Sequence, residues 1–177
     1  VRGVQGEGEA GSGWLYAAGD VNHLALLTHM GKYQARVCGD AIAARAHGRE
    51  PAVTDRSSKS CVPQVVFTVP EVASVGLTRE QAEAAGMAVR VVEYQIGEIA
   101  GAAEFADGYT GHAQMVVDEN RRVMVGATLA GPGVGEMIHA ATVAVAGEVP
   151  LDLLWHAVPS YPTISEVWLR LLEEYGL

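Results

Sequence analysis

Two apolar runs joined by a short polar stretch constrain the fold of this 177-residue chain more than any other feature. The runs lie at 113–117 and 123–129, and the residues between them, 118–122, are all polar. Because a short polar connection between two strand-like runs is typical of a hairpin, the sequence predicts an antiparallel pair of strands here. The other elements predicted in this region are strands at 64–68, 73–75 and 89–94 and helices at 135–146 and 165–174. This order predicts an α+β domain in which helices cover one face of an antiparallel sheet.

A capping box predicts the start of one more helix in the same region. Thr78 is followed three residues later by Gln81. The Thr78 hydroxyl and the Gln81 side chain can each satisfy a backbone amide that the first helical turn leaves free. We therefore expect a short helix that begins after Thr78 and ends at Gly86.

The N-terminal part of the chain is organised differently. Residues 1–13 are rich in Gly and Glu and have little apolar periodicity, so they are expected to form a flexible leader. A short apolar run at 15–18 ends at Gly19 and Asp20, which is the pattern of a buried strand followed by a tight turn. A helix is predicted at 26–46, where small residues recur at every fourth position and allow another backbone to approach closely.

A polar stretch at 49–59 separates these two parts. It contains Pro51 and several Ser and Thr residues, and it is interpreted as a linker. The sequence therefore predicts a leader at 1–13, a first structured segment at 14–50 and a larger domain at 61–177.

Composition argues against several classes of function. The formal net charge is -9 and the 12 Lys and Arg residues are scattered, whereas nucleic-acid binding requires clustered cations. Cys38 and Cys61 are too far apart for a short redox motif, and the histidines show no metal-ligand spacing, so no metal is expected. No apolar run approaches the roughly 20 residues of a membrane-spanning helix. The first residues also do not show the basic-then-apolar pattern of a secretory signal, so none is expected. These observations predict a cytoplasmic protein with no membrane span and no nucleic-acid partner.

Three segments together resemble one enzyme family. They are 15–21 (LYAAGDV), 63–76 (PQVVFTVPEVASVG) and 160–166 (SYPTISE). In this order they resemble the flavin-dependent pyridine nucleotide-disulfide oxidoreductases, the family of dihydrolipoamide dehydrogenase, glutathione reductase and mercuric reductase. The resemblance implies that 14–50 is the C-terminal segment of an FAD-binding domain and that 61–177 is a dimerisation domain.

The same resemblance implies the cofactors and the partner of the intact protein. These are FAD, NAD(P)H, a second copy of the chain in a homodimer and a small-molecule electron acceptor. Because the resemblance covers only the C-terminal part of a family subunit, we expect the chain to be a fragment that does not catalyse a reaction alone.

The resemblance assigns a cofactor-binding role to the turn at Gly19 and Asp20. The Asp20 carboxylate is similar to the aspartate that accepts a hydrogen bond from a flavin ribityl hydroxyl, and a charged acceptor makes such bonds stronger. The start of the following helix, near Leu27 and Thr28, would direct backbone amides and the positive end of the helix dipole at the N1 and O2 region of the flavin.

The tail departs from the family pattern at one position. In the disulfide reductases a histidine stands before the Pro-Thr pair, pairs with a following glutamate and serves as acid and base for a thiol. Tyr161 occupies that position here, and Glu166 matches the glutamate. A phenol, with an ordinary pKa near ~10, exchanges protons poorly at neutral pH. We therefore predict an FAD-dependent NAD(P)H oxidoreductase with a non-disulfide acceptor such as a quinone, with Tyr161 and Glu166 as catalytic candidates.

Two alternatives remain open at this level. His156 could replace the missing histidine if a local bend brings it beside Glu166, and the protein would then be a dihydrolipoamide dehydrogenase-like or other disulfide reductase. The other alternative is a non-catalytic dimerisation module. In either case one face of the last helix is expected to be buried in the core or against a partner: Trp168, Leu171, Leu172 and Tyr175.

Overall fold

The computed structural model describes the backbone at residues 2–3 and the whole of residues 15–177. The leader predicted at 1–13 therefore lies outside the described residues, apart from the backbone of 2–3. The chain folds as two compact units, Val1–Val62 and Pro63–Leu177.

The first unit contains a two-stranded antiparallel sheet and one long helix. Strand β1 (Arg2–Gly3) pairs with strand β2 (Tyr16–Ala17), and a short 3-10 turn follows at Asp20–Asn22. Helix α1 (Thr28–Ala46) begins two residues later than predicted because Leu27 is extended, with φ -138° and ψ 135°. Another backbone approaches the small residues of α1 closely, as expected. A Cβ on Gly31 would lie 3.4 Å from the Cα of Gly19.

The second unit is built on a five-stranded antiparallel sheet. Its strands are β3 (Gln64–Val66), β4 (Val72–Gly76), β5 (Val89–Gln95), β6 (His112–Asp118) and β7 (Val123–Ala130). Their order across the sheet is β3-β4-β7-β6-β5. The predicted hairpin is confirmed as β6 and β7, with a register shift between Val116 and Val117. The predicted α+β class is therefore confirmed.

Five helices accompany this sheet, and they lie on both of its faces. They are α2 (Arg79–Ala84), α3 (Ala100–Phe105), α4 (Val134–Ala146), α5 (Leu151–Leu154) and α6 (Val167–Tyr175). Helices α4 and α6 pack side by side over the strands, α4 on β4 and β7 and α6 on β5 and β6. Helix α2 packs through Ala82 on Val116, Val123 and Val125 of the other face. The expected helical cover of one face is therefore present in α4 and α6, and α2 adds a helix on the other face.

The helix α2 has the predicted capping box. The Thr78 hydroxyl accepts a hydrogen bond from the Gln81 amide at 3.3 Å, and Gln81 Oε1 accepts one from the Thr78 amide at 2.9 Å. Helices α3 and α5 were not predicted, because six and four residues are too few for a period of 3.6 to be recognised.

Candidate functional site

The turn after β2 has a backbone conformation that only glycine adopts readily. Gly19 has φ 80° and ψ -157°, a combination that costs other residues strain. This conformation places Asp20 at the start of the 3-10 turn with its side chain exposed. The short distance between Gly19 and Gly31 sets the turn against the first turn of α1, so the structure brings two of the predicted cofactor-binding elements together.

The start of α1 presents backbone amides, as expected. Leu27 is the residue before the helix, its carbonyl accepts a hydrogen bond from the Gly31 amide at 3.0 Å, and no side chain caps this end. Thr28 is exposed. The first amides of a helix have no partner within the helix and carry partial positive charge, so this end favours an anionic group.

A buried glutamine that sequence reasoning missed holds the turn. Gln34, on α1, is completely buried. Its Oε1 accepts hydrogen bonds from the Gly19 amide and from Asn22 Nδ2, both at 2.7 Å. Its Nε2 donates to the Ser58 hydroxyl at 3.2 Å. A polar residue in a helix rich in small residues carries no signal of such a role, because its partners come from outside the helix.

The tail of the second unit presents Tyr161 to solvent. The Tyr161–Pro162 peptide bond is cis and the Tyr161 side chain is 75% exposed. Two hydrogen bonds shape the following residues: the Thr163 hydroxyl donates to the Ser160 carbonyl at 2.7 Å, and the Glu166 amide donates to the Thr163 carbonyl at 3.1 Å.

Helix α3 packs against the backbone of this tail. A Cβ on Gly101 would lie 2.1 Å from the Thr163 carbonyl carbon and 2.4 Å from its oxygen. No heavy atom fits at such a distance, so only glycine at position 101 lets the tail backbone lie against α3.

Glu166 is paired with a residue that the sequence did not indicate. The carboxylate is buried, and its Oε1 accepts a hydrogen bond from Arg170 Nη2 at 2.5 Å. Its Oε2 is buried and has no hydrogen-bond partner among the described residues. Arg170 also donates to Glu173 at 2.8 Å, and hydrogen bonds to Glu173 and then to Glu166 raise the pKa of the Arg170 guanidinium.

Glu166 neither caps α6 through its side chain nor is bonded to Tyr161. The carboxylate is not a cap of α6, because no side-chain capping bond forms at that helix start. Arg170, rather than Tyr161, is the residue to which it is bonded. His156 is exposed, and its amide follows the turn of α5 by donating to the Leu153 carbonyl at 3.1 Å.

An apolar groove lies between α4, α5 and α6. It has a volume of about 330 Å³, and its lining includes Met115, Met124, Ala140, Ala144, Trp155 and Trp168. Of the face predicted on the last helix, Leu171, Leu172 and Tyr175 are buried in the unit itself. Trp168 lines the groove, and its Nε1 is buried without a hydrogen-bond partner in the part of the chain that the structure describes.

The described residues contain neither a metal-ligand cluster nor a membrane-spanning helix. No group of three or more His, Cys, Asp or Glu residues there is arranged to hold a metal ion. None of the helices described is long and apolar enough to cross a bilayer. Cys38 and Cys61 are buried, and burial raises the pKa of the Cys61 thiol.

Comparison with known proteins identifies the family. The family described as "Pyridine nucleotide-disulphide oxidoreductase, dimerisation domain" matches residues 62–172. The chain therefore belongs to the pyridine nucleotide-disulfide oxidoreductases and contains their dimerisation domain.

Curated proteins similar to this chain include several dihydrolipoyl dehydrogenases. Dihydrolipoyl dehydrogenase from Chlamydia muridarum is 31% identical over 154 residues, which are 87% of this chain and 31% of that protein. Dihydrolipoyl dehydrogenase from Bacillus subtilis is 27% identical over 159 residues, 90% of this chain and 32% of that protein. The chain thus spans about a third of the length of these relatives.

Solved structures agree with the fold. The HOCl-induced flavoprotein disulfide reductase RclA from Escherichia coli matches with a TM-score of 0.74 and 26% identity, over 89% of this chain and 35% of that one. LpdA from Mycobacterium tuberculosis matches with a TM-score of 0.75 and 24% identity, over 92% and 34%. The predicted family is confirmed, and the proteins to which the chain is similar include dihydrolipoyl dehydrogenases and a flavoprotein disulfide reductase.

Proposed function

We propose that this chain is the C-terminal part of an FAD-dependent NAD(P)H oxidoreductase that passes electrons to a non-disulfide acceptor such as a quinone. The observation that carries this proposal is that Glu166 is bonded to Arg170 and not to Tyr161. An exposed phenol stands where the disulfide reductases of this family have an imidazole, and the buried carboxylate is bonded to a guanidinium. Neither group is suited to exchange a proton with a thiol at neutral pH.

The first unit fits the ribityl and ring end of FAD. The Gly19 turn lies against the first turn of α1, the Asp20 carboxylate is exposed, and the helix amides lack intrahelical partners. Asp20 would accept a hydrogen bond from a ribityl hydroxyl, and the amides near Leu27 and Thr28 would favour negative charge on the ring. When bound, FAD supplies hydride acceptance from NAD(P)H and electron transfer to the acceptor.

A homodimer is part of the same proposal. The family match is to a dimerisation domain, and the groove between α4, α5 and α6 is apolar. Val143 lines this groove and is 55% exposed, and Leu153 of α5 is 59% exposed. Apolar surface of this kind favours burial against a second copy of the chain. Sedimentation of the wild type and of Val143→Asp tests this: a dimer for the first and a monomer for the second is expected, and a wild-type monomer at high concentration contradicts it.

A disulfide reductase is the second candidate, and the activities for which the relatives are named favour it. Several are dihydrolipoyl dehydrogenases, and RclA is a flavoprotein disulfide reductase. For this chain the candidate requires a proton donor other than Tyr161, and His156 is the first to test.

Steady-state NAD(P)H oxidation by the intact flavoprotein distinguishes the two candidates. We expect turnover with a quinone, negligible turnover with lipoamide or glutathione disulfide, and little change in quinone turnover for Tyr161→Phe. Tyr161→His tests whether the imidazole alone is what disulfide turnover lacks. Strong disulfide turnover by the wild type contradicts the proposal, and its loss in His156→Ala would assign the proton transfer to His156.

A further inference from the structure

We propose that Gln34 is a positioning residue of the flavin site, which fixes the Gly19–Asp20 turn through hydrogen bonds and links it to Ser58. This inference rests on the proposed function, since it names the residue that holds the cofactor-binding turn. Gln34 itself is completely buried and would not touch the cofactor.

Two donors of the turn converge on a single atom. The Gly19 amide and Asn22 Nδ2 both donate to Gln34 Oε1 at 2.7 Å. A backbone amide can only donate, so the orientation of the Gln34 side-chain amide is determined by the network. Asn22 in turn accepts a hydrogen bond from the Leu24 amide at 3.0 Å through its Oδ1. Both ends of the 3-10 turn that begins with Asp20 are thereby tied to the same side chain.

The turn needs such a restraint. Gly19 has φ 80° and ψ -157°, and glycine has many other conformations available to it when it is not held. A buried acceptor with two donors at short distance restricts that freedom. If the Gly19 amide stayed buried without this acceptor, it would be unpaired, and that would cost free energy. Gln34, fourteen positions later in the chain, therefore fixes the backbone from which the exposed Asp20 side chain projects.

The network continues into the polar stretch that was interpreted as a linker. Gln34 Nε2 donates to the Ser58 hydroxyl at 3.2 Å, and the Ser58 amide donates to Asp55 Oδ1 at 3.0 Å. Ser58 is 5% exposed. Burial raises the pKa of Asp55, the hydrogen bonds from Ser58 are among the interactions that lower it, and the net shift of the pKa is downward. The segment around Ser58 is thus part of the support of the turn.

Amide exchange in this chain tests the positioning itself. In Gln34→Met the Gly19 amide should exchange at least about fivefold faster relative to the Ile42 amide, further along α1, because one buried hydrogen bond is lost. The ratio of the two rates separates loosening of the turn from loosening of the helix. Val37→Ala is the matched control: Val37 is buried on the same helix and makes no bond to the turn, so this ratio should not change. Ser58→Ala should give a smaller increase than Gln34→Met. An unchanged ratio in Gln34→Met overturns the inference.

FAD affinity of the intact flavoprotein tests the function of that positioning. Gln34→Met should raise the dissociation constant of FAD about tenfold relative to Val37→Ala. Equal affinities of these two variants, in a protein whose wild type binds FAD, overturn the inference but leave the proposed function intact. A wild type that binds no FAD overturns both.

Discussion

The buried carboxylate of Glu166 is bonded to Arg170, one turn further along the last helix, with 2.5 Å between Oε1 and Nη2. The residue that precedes the Pro-Thr pair, Tyr161, is exposed instead. The glutamate of this tail therefore has a cationic partner one turn away in α6, and it is not bonded to the residue at position 161.

Removal of the guanidinium should destabilise the second unit. Arg170→Met leaves a buried carboxylate without a counter-charge, and we expect a loss of about 2 kcal/mol in the free energy of unfolding. This is less than the ~3–5 kcal/mol of fully buried pairs because Arg170 is itself partly in water. Urea unfolding measures the loss. The matched control is Arg79→Met, which breaks an exposed pair with Glu83 at the same spacing and should have no measurable effect. Equal stability of the two variants would show that Glu166 needs no counter-charge.

The contact between Gly101 and the tail predicts intolerance of any side chain at this position. In Gly101→Ala the new methyl group would lie 2.1 Å from the Thr163 carbonyl carbon, so α3 and the tail must separate. We expect a loss of about 2 kcal/mol in the free energy of unfolding. Ala103→Ser, at an exposed position of the same helix, is the control and should be nearly neutral. A wild-type melting temperature for Gly101→Ala would contradict the close contact.

The environment of Tyr109 leads us to expect that stability falls at alkaline pH. Its hydroxyl donates to the Pro132 carbonyl at 2.8 Å, and burial together with the negative charge of Glu71 raises the pKa of Tyr109. Because the folded-state pKa is higher than the unfolded value of ~10, this stabilisation is fully present below pH ~10 and is lost as the pH rises through the folded-state pKa.

Tyr109→Phe measures this effect directly. The variant should be less stable by about 1 kcal/mol at pH 8, because the hydrogen bond is lost. The difference from wild type should shrink at pH 11. The pKa of Tyr175 is also raised, chiefly by burial, but Tyr175 is present in both proteins and cancels from the comparison. A difference that stays constant between pH 8 and pH 11 would be inconsistent with the raised pKa.

The capping box predicts a small effect with a conservative rescue. Thr78→Ala removes the hydroxyl that accepts from the Gln81 amide, and a loss of about 1 kcal/mol is expected. Thr78→Ser keeps the hydroxyl and should retain most of the stability. Thermal unfolding of the two variants compares them, and equal losses would show that the methyl group, rather than the cap, is what matters.

The elements that could be predicted are those fixed by near neighbours in the chain. The hairpin of β6 and β7, the capping box of α2 and the extents of α1 and α4 follow from apolar periodicity and from residues three or four positions apart. Asp20 was proposed as a cofactor contact from a short motif, and the structure adds why the preceding residue must be glycine.

The elements that could not be predicted depend on contacts between distant residues. Helix α3 carries no periodic pattern, and its glycine, Gly101, is explained by the backbone of Thr163, 62 positions later in the chain. Gln34 looked like one more polar residue of α1 until Gly19, Asn22 and Ser58 were placed around it.

The sequence by itself therefore determined the order and type of the main elements, the family and the candidate residues of its motifs. These depend on local conformational preferences and on residue types at fixed spacing, which a linear chain displays directly. The tertiary structure alone decided that Glu166 pairs with Arg170, that Gln34 supports the turn at Gly19 and that helices lie on both faces of the sheet. Those outcomes depend on which polar groups lose their water on folding, and on which partner then lies within hydrogen-bonding distance.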